Sequence, residues 1–187
     1  AEPSSSLRRA FARPTPRIAE ARWLVERLRL HALIDVSDGV AGDAGHLAAA
    51  GGVRIVLDAD AIPVHPSLDP EGESGMQLAL RGGEDYELLF AADEESVSAL
   101  EEGFRDRFGV ALTAIGRVEE GDGLFLALPR GGEAETGAEA GTEPGGADER
   151  GGEARVVVPL HSGGFSHFPA REATEDGASG SSDGDSG

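Results

Sequence analysis

The spacing of apolar and polar positions predicts a chain that mixes helices and strands. Helical spacing of apolar residues marks Arg17–Leu30, Val40–Ala50, a short piece around Gly75–Leu80, and Glu94–Phe108. Short apolar runs or alternating patterns mark strands at His31–Val36, Val53–Asp58, Tyr86–Ala92, Val110–Val118, Leu124–Leu128 and Arg155–Pro159. Because these elements do not follow a strict β-α-β alternation, the pattern favours an α+β fold in which a mixed β-sheet is layered with α-helices.

Two segments lack this pattern and change the predicted domain boundaries. Residues 131–153 and 172–187 consist almost entirely of Gly, Ala, Ser, Thr, Glu and Asp. Such segments cannot bury enough apolar surface to offset the loss of chain entropy, so we expect them to be disordered. The sequence therefore predicts a disordered or linker lead over 1–13, a domain over 14–170 that contains the insertion, and a disordered acidic tail over 171–187.

Composition narrows the classes of function. The chain of 187 residues has a net charge of −19 and remains acidic without the two low-complexity segments. Nucleic acids and anionic membranes require clustered positive charge, so the balance argues against both partners. The sequence contains no Cys, which excludes disulfides and thiolate metal sites. Without a long apolar run or a signal-peptide pattern, we expect a cytoplasmic protein.

The first candidate site is the run Asp-Val-Ser-Asp-Gly, which we call the DVSDG segment (Asp35–Gly39). It lies where a predicted strand ends and a helix begins, so its two carboxylates can converge beside the free N–H groups of the helix N-terminus. Oxygen ligands of this kind suit Mg²⁺ bound to phosphate. An ordinary Ser/Asp helix cap would explain Ser37 and Asp38 equally well. It would not explain Asp35, which the pattern places at the end of a buried strand, where an acid needs a partner.

The second candidate is the run Gly-Gly-Glu-Asp-Tyr-Glu, which we call the GGEDYE segment (Gly82–Glu87). Paired glycines allow a tight turn or a close approach to a ligand. A helix-to-strand turn with solvated acids is the simpler interpretation, although three acids and a Tyr are more than such a turn requires. His46 lies one turn beyond Asp43, and we expect a structural contact between them. An aromatic clip or a ring-stacking loop would each explain Gly163–Phe168.

Together these segments resemble the carboxy-terminal domain of thiamine-monophosphate kinase. The matching motifs occur in family order and are I-D-V-S-D-G at 34–39, D-x-x-H at 43–46, G-G-E-D-Y-E-L-L-F at 82–90, I-G-R at 115–117 and G-[aromatic]-x-H-F at 164–168. The resemblance extends from about Pro14 to Phe168. It implies a fold similar to the carboxy-terminal domain of aminoimidazole-ribonucleotide synthetase.

The resemblance implies an activity and a set of site residues. The family transfers a phosphoryl group from ATP to thiamine monophosphate with Mg²⁺ and forms thiamine diphosphate. Asp35 and Asp38 match Mg²⁺ ligands, Ser37 matches an ATP contact, and Glu84 and Phe165 match substrate contacts. No residue matches a catalytic acid or base. Clustered acids that hold Mg²⁺ between phosphates are what phosphoryl transfer requires.

The resemblance also has gaps that leave alternatives open. Ser166 replaces the Asp of the family's last motif, and nothing in this chain resembles the amino-terminal domain that supplies most of the ATP site, further Mg²⁺ ligands and a homodimer interface. We therefore expect this chain to be inactive without that domain. A paralogue of the same fold that uses ATP on another substrate is one alternative. A non-catalytic acidic scaffold domain is the other.

Overall fold

The computed structural model describes residues 5–65, 68, 73–129 and 155–160. The helices are α1 (Ser5–Ala12), α2 (Ile18–Arg27), α3 (Val40–Gly51), α4 (Glu73–Arg81), α5 (Glu94–Ser98) and α6 (Glu101–Phe108), with a 3₁₀ turn at Ala59–Ala61. The strands are β1 (Ala32–Asp35), β2 (Arg54–Asp58), β3 (Leu88–Ala91), β4 (Gly116–Glu119), β5 (Gly123–Pro129) and β6 (Arg155–Pro159). The α+β class with a mixed sheet is confirmed.

The strands form two sheets. Strands β1 and β3 make an antiparallel pair, and the other four form a mixed sheet in the order β4-β2-β5-β6. Although β4 and β5 are neighbours in sequence, they flank β2, with β4 antiparallel and β5 parallel to it. The link between them passes the start of β2, where Arg54 is opposite both Glu119 and Gly123. The short link between β4 and β5 therefore crosses the end of β2 and does not form a hairpin.

Helix α3 is central because it contacts both sheets and α4. Its buried face consists of Ala41, Ala44 and Ala48, whose small side chains allow close packing. Opposite this face, Leu57 and Leu126 of the mixed sheet are almost completely buried. The helix ends at Gly51, and its C-cap residue Gly52 adopts the left-handed conformation that glycine favours at this position.

A second, aromatic core lies between α2, α6 and one face of the β1–β3 pair. Trp23 packs edge-on against Phe104 at 5.6 Å and against Phe108 at 6.2 Å between ring centroids, an arrangement that aromatic rings favour. The helix predicted over 94–108 is interrupted after Ser98, yet its apolar face packs into this core as predicted.

Two further regions differ from the pattern-based prediction. Residues 5–12, within the predicted disordered or linker lead, form α1, and the described side chains of this helix are exposed. Strand β4 begins at Gly116, six residues later than predicted. None of the described helices has the length and apolar character of a membrane span.

The low-complexity insertion lies between two paired strands. Strands β5 and β6 pair antiparallel, from Pro129 opposite Arg155 to Phe125 opposite Pro159. Arg155 also forms ion pairs with Asp58, the last residue of β2, and with Asp60 in the 3₁₀ turn that follows it. These pairs join the start of β6 to the end of β2. The insertion and the acidic tail themselves lie outside the described residues.

The buried sheet face makes a first prediction. Replacement Leu126→Ala should lower the free energy of unfolding by about 2–5 kcal/mol, because it leaves a cavity between β5 and α3. Urea denaturation measures the change. Leu78→Ala is the matched control, since Leu78 is 51% exposed on α4 and its replacement should cost less than about 1 kcal/mol. Equal losses in the two variants would contradict the described core.

Candidate functional site

The DVSDG and GGEDYE segments are joined backbone to backbone. The N–H of Val36 donates to the carbonyl of Glu87 at 2.8 Å, and the N–H of Tyr86 donates to the carbonyl of Val36 at 2.8 Å. The N–H of Glu84 donates to the carbonyl of Ser37 at 2.9 Å. These bonds continue the pairing of β1 and β3 beyond the strand ends. The tertiary structure therefore brings together two acidic segments that are more than forty residues apart in sequence.

Glycines of both segments lie in close backbone contacts, Gly83 against the DVSDG segment and Gly39 against the end of α4. Gly39 has φ +87°, and a Cβ atom there would lie 2.7 Å from the carbonyl oxygen of Leu80. A Cβ atom on Gly83 would lie 2.5 Å from the carbonyl oxygen of Ser37. Distances below 3 Å exclude a side chain without backbone movement. Of the two uses predicted for these glycines, the structure therefore shows close approach, but to the protein's own backbone.

Helix α3 is not capped by Ser37 or Asp38. Its N-cap residue is Gly39, and no side chain caps the helix. Instead, Oδ2 of Asp43, in the first turn of α3, accepts hydrogen bonds from the N–H groups of Ser37 at 2.8 Å and Asp38 at 3.0 Å. The ordinary cap interpretation is therefore wrong, and the exposed Asp38 carboxylate is available for another role.

Asp38, Asp43 and His46 form a compact group of possible metal ligands, with ligand atoms within 4.8 Å of one another. The ion pair in this group joins Nε2 of His46 to Oδ2 of Asp38 at 3.9 Å, whereas the sequence predicted a contact between His46 and Asp43. Asp43 is 2% exposed. The sequence analysis did not predict that Asp43 accepts the N–H groups of Ser37 and Asp38, although a lone acid among Ala and Gly residues is unusual enough to indicate a specific role.

Asp35 differs from its prediction. Its side chain is exposed and β1 is half-buried, so the argument that a buried acid needs a partner was wrong. Asp35 is not a member of the Asp38–Asp43–His46 group. Asp35 instead lines an open groove of about 470 Å³, together with Tyr86, Leu88 and residues at the start of α2. The walls of this groove are mainly apolar.

Backbone strain is concentrated in the GGEDYE segment. Glu84 has φ 73° and Tyr86 has φ 51°, and these are the non-glycine residues with positive φ among those that the structure describes. Such conformations cost roughly 1–3 kcal/mol each and persist where surrounding contacts enforce them. Glu84 is half-buried, whereas Tyr86 is 38% exposed at the groove. Strain of this kind is frequent at functional sites.

One acid of the GGEDYE segment, Asp85, has a raised pKa. Partial loss of hydration raises the pKa of Asp85 above its ordinary value of 3.8 although its side chain is exposed, and the negative charge of Glu87 raises it further.

The fifth predicted site residue, Phe165, lies with the Gly163–Phe168 motif outside the described residues.

Comparisons with known proteins place this site in a family context. The family model described as AIR synthase related protein, C-terminal domain, matches residues 2–128. Thiamine-monophosphate kinase from Aquifex aeolicus is 37% identical over 118 residues, which are 61% of this chain and 35% of that protein.

Two solved structures are similar in fold. Thiamine-monophosphate kinase from Stenotrophomonas maltophilia K279a aligns with a TM-score of 0.59 and 38% identity, over 65% of this chain and 38% of that one. AaThiL complexed with AMPPCP and TMP aligns with a TM-score of 0.55 and 33% identity, over 67% of this chain and 39% of that one. This chain thus spans little more than a third of the length of these relatives.

The glycine contact makes a second prediction. Gly83→Ala should lower the free energy of unfolding by about 1–3 kcal/mol, because its Cβ atom would overlap the carbonyl oxygen of Ser37. Gly103→Ala is the control, since a Cβ atom there meets open space on α6 and should raise stability by up to about 1 kcal/mol. Urea denaturation compares the two variants. If both were stabilising, the backbone contact would be wrong.

The raised pKa of Asp85 makes a third prediction. The ionised form is disfavoured in the folded state, so wild-type stability falls relative to Asp85→Asn as pH rises through the folded-state pKa. We expect the two proteins to unfold at the same temperature near about pH 3.5 and the variant to be more stable near about pH 7. Thermal unfolding at both pH values tests this. Asp106→Asn on α6 is the control, and an Asp85 effect independent of pH would contradict lost hydration of the carboxylate as its cause.

Proposed function

This chain belongs to the family of AIR synthase related proteins, matching its C-terminal domain, and from that premise we propose that it is the carboxy-terminal part of a thiamine-monophosphate kinase. In this proposal, a phosphoryl group passes from ATP to the phosphate of thiamine monophosphate and forms thiamine diphosphate. The similarity to thiamine-monophosphate kinases at 37% and 38% identity supports this choice among members of the family. The AMPPCP and TMP in the AaThiL complex support ATP and thiamine monophosphate as substrates.

One observation carries the proposal at the level of the site. The hydrogen bond of 2.9 Å from the N–H of Glu84 to the carbonyl of Ser37 joins the predicted substrate contact to the predicted ATP contact. A phosphoryl-transfer enzyme has to hold its two substrates in line, and most of its rate enhancement comes from positioning and from neutralising charge. Two binding segments that share backbone hydrogen bonds provide such positioning.

The donor set is compatible with Mg²⁺. Asp38 has an exposed carboxylate, and Asp43, which accepts two backbone N–H groups through Oδ2, also offers a possible ligand atom within 4.8 Å. Mg²⁺ takes one or two protein carboxylates and keeps its remaining positions for water and phosphate oxygens. When bound, the ion would neutralise phosphate charge. Asp38 would hold it, and Asp35 remains the second ligand predicted from the resemblance.

The proposal assigns the activity to a protein longer than this chain. The relatives extend well beyond the aligned region, which covers 35–39% of their length. We infer that an amino-terminal domain completes the ATP site, and that the longer protein is a cytoplasmic homodimer. The isolated chain should have no kinase activity.

A fourth prediction tests the function. With ATP and Mg²⁺, the full-length parent protein should convert thiamine monophosphate to thiamine diphosphate. Asp38→Asn should lower kcat/KM about 100-fold or more, because it removes a carboxylate that would hold Mg²⁺ at the transferring phosphate. Chromatographic detection of thiamine diphosphate measures the product.

Asp106→Asn is the control, because Asp106 is exposed on α6 and is not part of either acidic segment. Turnover by the isolated chain would contradict the need for an amino-terminal domain. ATP hydrolysis that depends on a different substrate would instead favour a paralogue of the same fold. Equal activity of both variants would remove Asp38 from the site.

A further inference from the structure

Arg17 connects the start of α2 to the end of the GGEDYE segment. Its Nε donates to Oε1 and Oε2 of Glu87 at 3.1 and 3.0 Å, and its Nη2 donates to Oε1 at 2.7 Å. On the other side, its Nη1 donates to Oε1 of Glu20 at 3.2 Å. The guanidinium is thus held between two carboxylates, one of them on the buried Glu20. Two donors directed at one carboxylate fix its orientation as well as its distance.

The partner of Arg17 lies at the junction of the candidate site. The backbone carbonyl of Glu87 accepts the N–H of Val36, and the residue immediately before it is the strained Tyr86. The other strained residue, Glu84, is three positions before Glu87. Residues in such conformations revert to relaxed ones unless several contacts hold them. The backbone bonds to the DVSDG segment hold this turn from one side, and the ion pair holds the end of the turn through its side chain.

The ion pair also borders the groove. Arg17, Asp35 and Tyr86 all line it, together with prolines at 14 and 16. A movement of the Arg17 side chain would therefore alter the wall of the groove beside Tyr86.

We propose that Arg17 is a positioning residue, which holds the strained turn from Glu84 to Tyr86 against the DVSDG segment through its ion pair with Glu87. The consequence for substrate binding rests on the proposed function, because Glu84 is a substrate contact only if the chain belongs to a thiamine-monophosphate kinase. The consequence for the conformation of the turn does not depend on that function.

Hydrogen–deuterium exchange tests the conformational part. In Arg17→Gln and in Glu87→Gln, the amides of Val36, Glu84 and Tyr86 should exchange about threefold faster or more, because opening of the turn becomes easier. The double variant should exchange no faster than either single variant, since both remove the same interaction. Arg17→Lys should be intermediate, because an ammonium group keeps the charge but cannot form the paired bonds.

Two controls separate positioning from general destabilisation. Arg22→Gln replaces an exposed arginine on the same helix and should leave these amides unchanged. Amides in the pairing of β2 with β5 should exchange at the wild-type rate in every variant. Equal acceleration in the site and in this sheet would overturn the proposal, and so would unchanged exchange at Val36, Glu84 and Tyr86.

Kinetics of the full-length parent protein test the substrate part. Arg17→Gln should raise the KM for thiamine monophosphate about threefold or more while the KM for ATP changes less, because the turn carries the predicted substrate contact. Equal changes in both KM values would overturn that part. Absence of kinase activity in the wild-type protein would refute the proposed function, whereas the exchange result would still decide the role of Arg17.

Discussion

The contact between the DVSDG and GGEDYE segments is the constraint on which the candidate site depends. Backbone atoms of the two segments meet at a distance that leaves no room for a Cβ atom at Gly83, and Gly39 is packed just as closely against the end of α4. Three hydrogen bonds join the segments and continue the β1–β3 pairing. This contact forces positive φ on Glu84 and Tyr86, where L-residues are strained. The position of each acid on the two segments follows from it.

Helix α3 supports this contact through its first turn. Its alanine face packs closely on the mixed sheet, and this packing fixes the position of the first turn of the helix. Asp43 in that turn is buried and binds the N–H groups of Ser37 and Asp38. A carboxylate that accepts backbone hydrogen bonds is satisfied without a cation. The side chain of the neighbouring Asp38 is thereby exposed to solvent. The packing of α3 in the core thus determines the geometry of the site.

Gathering acids at one place costs free energy, and the structure compensates part of that cost. Burial and the charge of Glu87 raise the pKa of Asp85, which indicates that the ionised form is disfavoured there. Arg17 forms ion pairs with Glu87 and with a second acid, Glu20, and so offsets part of their negative charge. Asp38 has Nε2 of His46 at 3.9 Å from its Oδ2. Clustered acids with one raised pKa are typical of sites that bind cations or phosphate-bound cations, which agrees with the proposed phosphoryl transfer.

The sequence by itself determined the α+β class, the position of β6, the helix ended by Gly52 and the two acidic segments, because each depends on local hydrophobic spacing or turn chemistry. The tertiary structure was needed to show that β4 and β5 flank β2, that Asp35 is exposed and that Asp43 accepts the backbone N–H groups of Ser37 and Asp38. These features arise from contacts between residues that are not adjacent in sequence. Periodicity reports which side of an element is apolar, but not which partner covers it.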